Sequence, residues 1–219
     1  MSLTASPRLI KGGLVVLDAA SGAVKRIIAL QYNPDTLTRS YQVQGVGGEG
    51  GGDRAQPFRL KGPAIESIKV DIEVDAADAL ANPDQNANAV QFGIAPQIAV
   101  LEGLINPTTA DLLTLKALSQ SGTLEILPPE APLVLFIWGS GRVVPVRVTE
   151  FTVTEEAFDV SLNPIRAKVS LGLRVMTTDD LGFERKGSSI FINYLRNRET
   201  LAGKTGPVSL RSLGLVTLP

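Results

Sequence analysis

The sequence predicts a mixed α+β protein in which antiparallel strands dominate. Apolar and polar residues alternate strictly over residues 65–75 and again over 165–171, as they do in strands with one dry face and one wet face. Three segments with helical spacing, at 92–107, 110–119 and 188–201, interrupt the order of the strands and do not alternate with them. This arrangement favours an α+β fold over a repeated βαβ unit.

The first part of the chain predicts a hairpin followed by an extended segment. Residues 13–18 and 24–32 suit strands, and the residues between them suit a turn. After a proline break, residues 37–44 resume extended structure and lead into the glycine tract at 45–52. This tract formally matches G-x-G-x-x-G, but the glycines and prolines that follow leave no helix to hold a dinucleotide phosphate. We therefore interpret it as a mobile surface loop.

The middle of the chain predicts a long strand at 65–75 and a helical turn at 76–81. The polar face of this strand carries three carboxylates, which suits Ca²⁺, but the Ca²⁺-loop pattern with its central glycine is missing. A solvated or subunit-facing surface is the better interpretation. Further strands are predicted at 133–139, 142–156 and 165–175, with a bulge where the apolar phase shifts between Val148 and Phe151.

Composition excludes most classes of enzyme. The 219 residues include no cysteine and no histidine, which removes disulfides, thiolate nucleophiles, Ser-His-Asp triads and His-ligated metals. Glu155 and Glu156 are adjacent on a predicted strand, so they point to opposite faces and cannot flank one glycosidic bond. The neighbouring Asp179 and Asp180 form no better pair. We therefore expect a protein that is not an enzyme, with no catalytic residue, no cofactor and no metal.

Charge and hydropathy exclude two classes of partner. The net charge is −1 without a basic cluster, so we expect no nucleic acid. No apolar run reaches the roughly 18–20 residues of a membrane span, and the N-terminus lacks the apolar core of a signal peptide. We therefore expect that the protein is synthesised in the cytoplasm and that it does not insert directly into a membrane.

Three blocks of sequence follow one another across residues 30–175. Residues 30–40 read LQYNPDTLTRS, residues 93–102 read GIAPQIAVLE, and residues 132–173 contain LFIWG, FD and PIRAKV. Together they resemble the tube-type proteins of contractile injection systems, the phage-tail-like machines, and most of all the baseplate component that joins the spike hub to the inner tube. Asn163 stands where many relatives have glycine, and too few residues follow 188–201 for the LysM module that many relatives carry.

The resemblance implies an antiparallel β-barrel or sandwich of the phage tail-tube type, with inserted helices and a C-terminal helix. Residues 1–183 would form this β domain, with the helices inserted at about 76–120, and 184–219 would form a C-terminal helix and a docking tail. Alternate residues from Ile165 to Leu173 would fill the core. Arg166, Lys168 and Ser170 would face the lumen of a ring, an adjacent subunit or water.

The resemblance also implies a structural function. The protein would form a hexameric ring at the baseplate-proximal end of the inner tube, connect the spike hub to the tube and template tube polymerisation for protein translocation. Its partners would be further copies of this chain, the inner tube protein, the spike or hub protein, and other baseplate and sheath proteins. It would assemble in the cytoplasm into a particle that is then free, released or associated with a membrane. The predicted interface residues are Arg39, Glu102, Trp138, Arg166 and Lys168.

Several interpretations stay open at this point. The chain is alternatively the inner tube polymer itself, although such proteins are usually shorter and lack an extension like residues 188–219. It is also compatible with a non-catalytic baseplate module that binds cell wall or carbohydrate, although aromatic residues make up only 5% of the chain. Trp138 suits a place in the core better than one at an interface, and Glu102 equally suits a cap or an ion pair.

Overall fold

The computed structural model describes residues 9–18, 21–45, 59–120 and 131–218. Within these residues, seven strands form one antiparallel sheet in the order β2-β1-β5-β6-β7-β4-β3. The strands are β1 (Gly13–Leu17), β2 (Val24–Ala29), β3 (Leu37–Gln42), β4 (Ile65–Asp75), β5 (Leu133–Ile137), β6 (Val143–Phe158) and β7 (Pro164–Val175). The predicted α+β class is confirmed. The sheet is open, with β2 and β3 at its two edges, and is compatible with a sandwich.

In the described part of the chain, the helices lie between β4 and β5 or after β7. They are α1 (Ala77–Leu80), α2 (Ala87–Phe92), α3 (Ala95–Glu102), α4 (Thr109–Gln120), α5 (Thr178–Leu181) and α6 (Lys186–Ala202), with short 3₁₀ turns at Pro83–Gln85 and Leu210–Leu213. The helix predicted over 92–107 is shorter than expected. Gly93 has φ +58°, which separates α2 from α3, and α3 ends at Glu102.

The strands predicted from alternation are confirmed. β4 spans residues 65–75 as predicted, and the pairing of β6 with β7 shifts between Val148 and Glu150, where the bulge was expected. The extra residue there is Thr149, whose hydroxyl donates to the Gly172 carbonyl at 3.1 Å. Most of the glycine tract lies outside the described residues, although Gly45 forms an isolated bridge with Leu60.

The core lies on one side of the sheet. Ala167, Val169, Leu171 and Leu173 of β7 are buried there, as predicted, and Ile165 is partly buried. Buried residues of β4, α3 and α6 complete the same cluster: Ile68, Val70, Ile72, Val74, Ile98, Leu101, Phe191 and Tyr194. Burying one such aliphatic or Phe side chain contributes about 1.5–3 kcal/mol, so this cluster determines which face of the sheet is dry.

Two hydrogen-bonded caps fix the ends of helices. The Thr108 hydroxyl accepts from the Asp111 backbone N–H at 3.1 Å, at the start of α4. Thr177 and Asp180 form a capping box at the start of α5. In the part of the chain that the structure describes, no helix combines the length and apolar character that crossing a bilayer requires.

Candidate functional site

The side of the sheet opposite the core is a broad polar surface. It is formed by the out-of-phase residues of β4, β7 and β6, which the strand register places side by side. We call this surface the polar face, and its residues are Lys69, Asp71, Glu73, Asp75, Glu150, Thr152, Thr154, Arg166, Lys168 and Ser170. None of these residues is apolar, so this face of the subunit suits contact with water.

Charged groups on the polar face pair across neighbouring strands. Gly172 lies between Lys69 and Glu150, and because it has no side chain, Lys69 Nζ reaches Glu150 Oε2 across β7 at 3.0 Å. A Cβ at Gly172 would lie 2.8 Å from the Glu150 Cβ. Arg166 Nε contacts Asp75 Oδ2 at 2.7 Å. Exposed pairs of this kind contribute about 0–1 kcal/mol each, so they set the charge pattern more than the stability.

The ion pair between Asp75 and Arg166 favours the charged form of both partners. The backbone N–H of Ala77, together with Arg166, holds the pKa of Asp75 below its ordinary value, and Asp75 raises the pKa of Arg166. Cations and anions are interspersed on this face. Such a surface has neither an apolar patch nor an electrostatic potential of a single sign. These are the two features by which a surface binds another polypeptide, so the polar face is suited to weak contacts only.

A buried carboxylate organises a second cluster on the core side of the sheet. Glu66 of β4 is 3% exposed and lies in phase with the apolar residues of that strand. Arg39 Nε donates to Glu66 Oε1 at 2.5 Å, and the Tyr194 hydroxyl donates to Oε2 at 3.0 Å. A buried carboxylate needs such partners because it has lost its hydration. The cluster therefore joins β3, β4 and α6.

Two further arginines extend this cluster to the surface. Arg198 Nη1 donates to the Tyr194 hydroxyl at 2.8 Å, and its guanidinium lies 5.5 Å from the centroid of the Tyr194 ring. Arg142 lies in the turn between β5 and β6, where burial, together with the charges of Arg39 and Arg198, lowers its pKa. Among the described residues, no carboxylate lies within 4.0 Å of the guanidinium of Arg142 or Arg198.

These arginines line an open cavity of about 650 Å³, which we call the arginine groove. Its other walls are partly aromatic and aliphatic. The lining residues are Arg39, Trp138, Gly141, Arg142, Tyr194, Arg198, Glu199, Leu201 and Ala202. The groove therefore combines positive charge with apolar surface at one end of the sheet.

The predicted interface residues fall in different places. Arg166 and Lys168 are exposed on the polar face, and Glu102 is exposed at the end of α3. Arg39 lies in the ion pair with Glu66, and Trp138 is half-buried, with its ring stacked on Phe136 at 5.9 Å between centroids. Arg39 and Trp138 meet in the arginine groove, whereas Glu102 belongs to neither surface. A contact of these residues with another subunit stays a prediction.

The sequence reasoning missed the residues that hold the arginine groove together. Glu66 carried a usable signal, because strand alternation places it on the same face as Ile68 and Val70. A carboxylate in that phase requires a buried cation or hydroxyl partner. Arg142 carried no such signal, since turn residues have no periodicity to interpret.

Comparison with protein families identifies the chain. The family model of contractile injection system tube proteins matches residues 16–183, which is more than half of the sequence. This stretch includes all seven strands except the first residues of β1. No curated protein sequence matches the chain. The chain therefore belongs to the contractile injection system tube protein family, whose members are structural components of phage-tail-like particles.

Proposed function

We propose that this protein forms a hexameric ring at the baseplate-proximal end of the inner tube, where it connects the spike hub to the tube and templates tube polymerisation. The observation that carries this proposal is the C-terminal unit, residues 184–218. This unit follows the stretch that the family model matches, yet its helix α6 packs onto the same sheet. An extra unit of this kind supplies a subunit with a second, different contact surface, which an adaptor between two ring types needs.

Helix α6 is the integral part of the C-terminal unit. Phe191 and Tyr194 are buried in the core cluster, and Tyr194 also bonds to Glu66. Lys186 Nζ donates to the Gly22 carbonyl at 2.8 Å, which ties the start of α6 to the β1–β2 turn. The helix is therefore held at a defined position against the sheet.

The segment after α6 is the part of the unit that is free to contact another protein. Its apolar side chains are exposed: Val208, Leu210, Leu213, Leu215, Val216 and Leu218. Exposed apolar residues grouped along one short segment are typical of an interaction site. The polar face supports a place in the tube wall as well, since it suits the lining of a lumen through which cargo passes.

Copy number tests the proposal against its main alternative. Quantitative mass spectrometry of purified particles should find a handful of copies of this chain, near the number in one ring, whatever the particle length. A copy number that scales with particle length would instead identify the chain as the inner tube polymer. Complete absence from particles would contradict both assignments and favour a separate binding module.

A pair of substitutions tests the C-terminal segment directly. Leu213→Asp combined with Leu215→Asp should lower the copy number per particle, because charges replace apolar side chains at the proposed contact. Leu112→Asp combined with Leu113→Asp on α4 is the control, since these leucines are 50% and 65% exposed, against 41% for Leu215 and 70% for Leu213, and lie on another element. Equal incorporation of both variants would contradict a docking role for the segment.

A further inference from the structure

We propose that the arginine groove receives the tip of the β6–β7 hairpin from a second copy of this chain. We define the hairpin tip as residues 155–163. The inference rests on the proposed function in that it assigns a contact between neighbouring subunits of one ring.

The groove has positive charge to spare. Both oxygens of Glu66, which lies behind the groove, are already bonded, to Arg39 and Tyr194, and Glu199 is the one carboxylate among the described residues that line the groove. Against these two carboxylates stand the three guanidinium groups of the groove. Arg142 and Arg198 have no ion-pair partner within 4.0 Å among the described residues. A carboxylate from another molecule would balance this charge and form charge-assisted hydrogen bonds with the guanidinium groups.

The hairpin tip has the complementary chemistry. Glu155 is exposed at the end of β6, and no described cation lies within 4.0 Å of it. Phe158, Val160 and Leu162 expose apolar side chains beyond it, and Val160 is fully exposed. These residues match the apolar walls of the groove, just as Glu155 matches its arginines.

The tip is rigid enough to act as a docking element. Asp159 Oδ1 accepts backbone hydrogen bonds from Ser161 at 2.7 Å and from Asn163 at 2.8 Å. Leu162 has φ +63°, a conformation that costs a side-chain-bearing residue energy and that is held here by the turn. An ordered turn loses little conformational entropy on binding, which favours association.

The positions of the two surfaces exclude a contact within one chain. The strand register places Arg39 of the groove beside Ile68 of β4, and Ile68 beside Leu173 of β7, so the groove lies at the level of Leu173. The hairpin tip joins β7 at its other end, at Pro164. Nine strand residues separate these two levels of the sheet, which is about 30 Å. A contact between them must therefore be made between two copies, and it closes into a ring when it is made head to tail and the rotation between copies allows closure.

Cysteine cross-linking tests this contact on a clean background, because the chain has no cysteine of its own. Gly141→Cys places a thiol in the groove at a position where a Cβ meets nothing within 4 Å, and Val160→Cys places one on the tip. Both substitutions keep Arg142 and Glu155. Full-length chains carrying one cysteine each are mixed and mildly oxidised. The 141–160 product should exceed the product of 141 with Leu113→Cys by about tenfold, which corresponds to about 1.4 kcal/mol.

Charge reversal makes the test specific for the proposed groups. Arg142→Glu in the groove chain should abolish the excess 141–160 product, and Glu155→Arg in the tip chain should restore it. Circular dichroism of each variant checks that it is folded. A 141–160 yield equal to that of the control pair, or one that Arg142→Glu leaves unchanged, would overturn the inference. If cross-linking fails but each particle still contains one ring of this chain, only the hairpin–groove contact is wrong and the proposed function stands. If the chain is absent from particles, the proposed function is wrong as well.

Discussion

Removing the charge of Glu66 is the sharpest test of how the sheet and α6 are held together. Glu66→Gln keeps the size of the side chain and its hydrogen bond to Tyr194, but it leaves the guanidinium of Arg39 without a counter-charge. The Arg39 side chain is 19% exposed, so water compensates only part of this loss. Arg142 and Arg198 lie in the same cluster and add repulsion.

The magnitude follows from the cost of an unpaired buried charge. Breaking a buried pair by removing one partner costs about 3–5 kcal/mol, and the residual exposure of Arg39 places this case near 3 kcal/mol. For a chain of 150–250 residues, each kcal/mol lowers Tm by about 2–4 °C. Glu66→Gln should therefore lower Tm by about 6–12 °C.

Thermal and urea unfolding measure this difference, with Glu73→Gln as the matched control. Glu73 is exposed on the polar face of the same strand, and neutralising it should change stability by less than about 0.5 kcal/mol. A double-mutant cycle with Arg39→Gln isolates the pair, and the two changes should be strongly non-additive. If Glu66→Gln melts within about 2 °C of the native chain, the buried pair does not stabilise the fold as argued here.

Three further changes test other parts of the structure. Gly93→Ala should destabilise the fold by about 2 kcal/mol or more, because φ is +58° and a Cβ would overlap the Pro164 carbonyl oxygen; urea denaturation measures this. Phe191→Ala should cost about 3–5 kcal/mol and expose α6 itself to protease, because Phe191 is buried in the core. Asp75→Asn should be less stable than the native chain at pH 7, and unfolding at a series of pH values should show this difference disappearing in acid. The folded pKa of Asp75 is lowered, so its contribution is present above about pH 3.9 and is lost as the pH falls through the folded pKa.

Each of these changes has a control and a contradicting outcome. Gly206→Ala adds a Cβ in open space, so a loss equal to that of Gly93→Ala would contradict the steric argument. Leu201→Ala removes an exposed side chain of the same helix as Phe191, and an equal cost would mean that α6 is not anchored through its buried face. Asp84→Asn is the control for Asp75→Asn, because it neutralises an exposed carboxylate outside the sheet. A pH-independent deficit in Asp75→Asn would show that its ion pair does not carry the effect.

The strands could be predicted from the sequence because burial imposes a period of two on them. In β7 the residues from Ala167 to Leu173 alternate between core and polar face, and each apolar residue identifies its own side. The helix over 92–107 was less predictable. The apolar spacing runs on across Gly93 and gives no sign of a break there. The break is made by the positive φ of Gly93, next to the Pro164 carbonyl of β7, and the sequence pattern does not show that this distant strand lies so close.

The order of the strands and the arginine groove could not be predicted, because both depend on contacts between distant residues. β1 pairs with β5, and β4 lies between β3 and β7, which no local pattern encodes. The bond between Glu66 and Tyr194 joins positions 128 residues apart. It forms only after α6 has packed on the sheet, so single-residue signals cannot reveal it.

The buried carboxylate also determines how the C-terminal unit can be tested. Because Tyr194 and Arg198 belong to the cluster around Glu66, α6 is part of the core that supports edge strand β3. A deletion that begins before Lys186 would remove partners of Glu66 and two residues of the core cluster, Phe191 and Tyr194, together with any assembly surface. If such a deletion variant failed to form rings, unfolding and loss of the docking surface would explain the failure equally well. A deletion that begins after Ala202 leaves the cluster complete and removes only the exposed segment, so a defect in that variant would be a defect in docking.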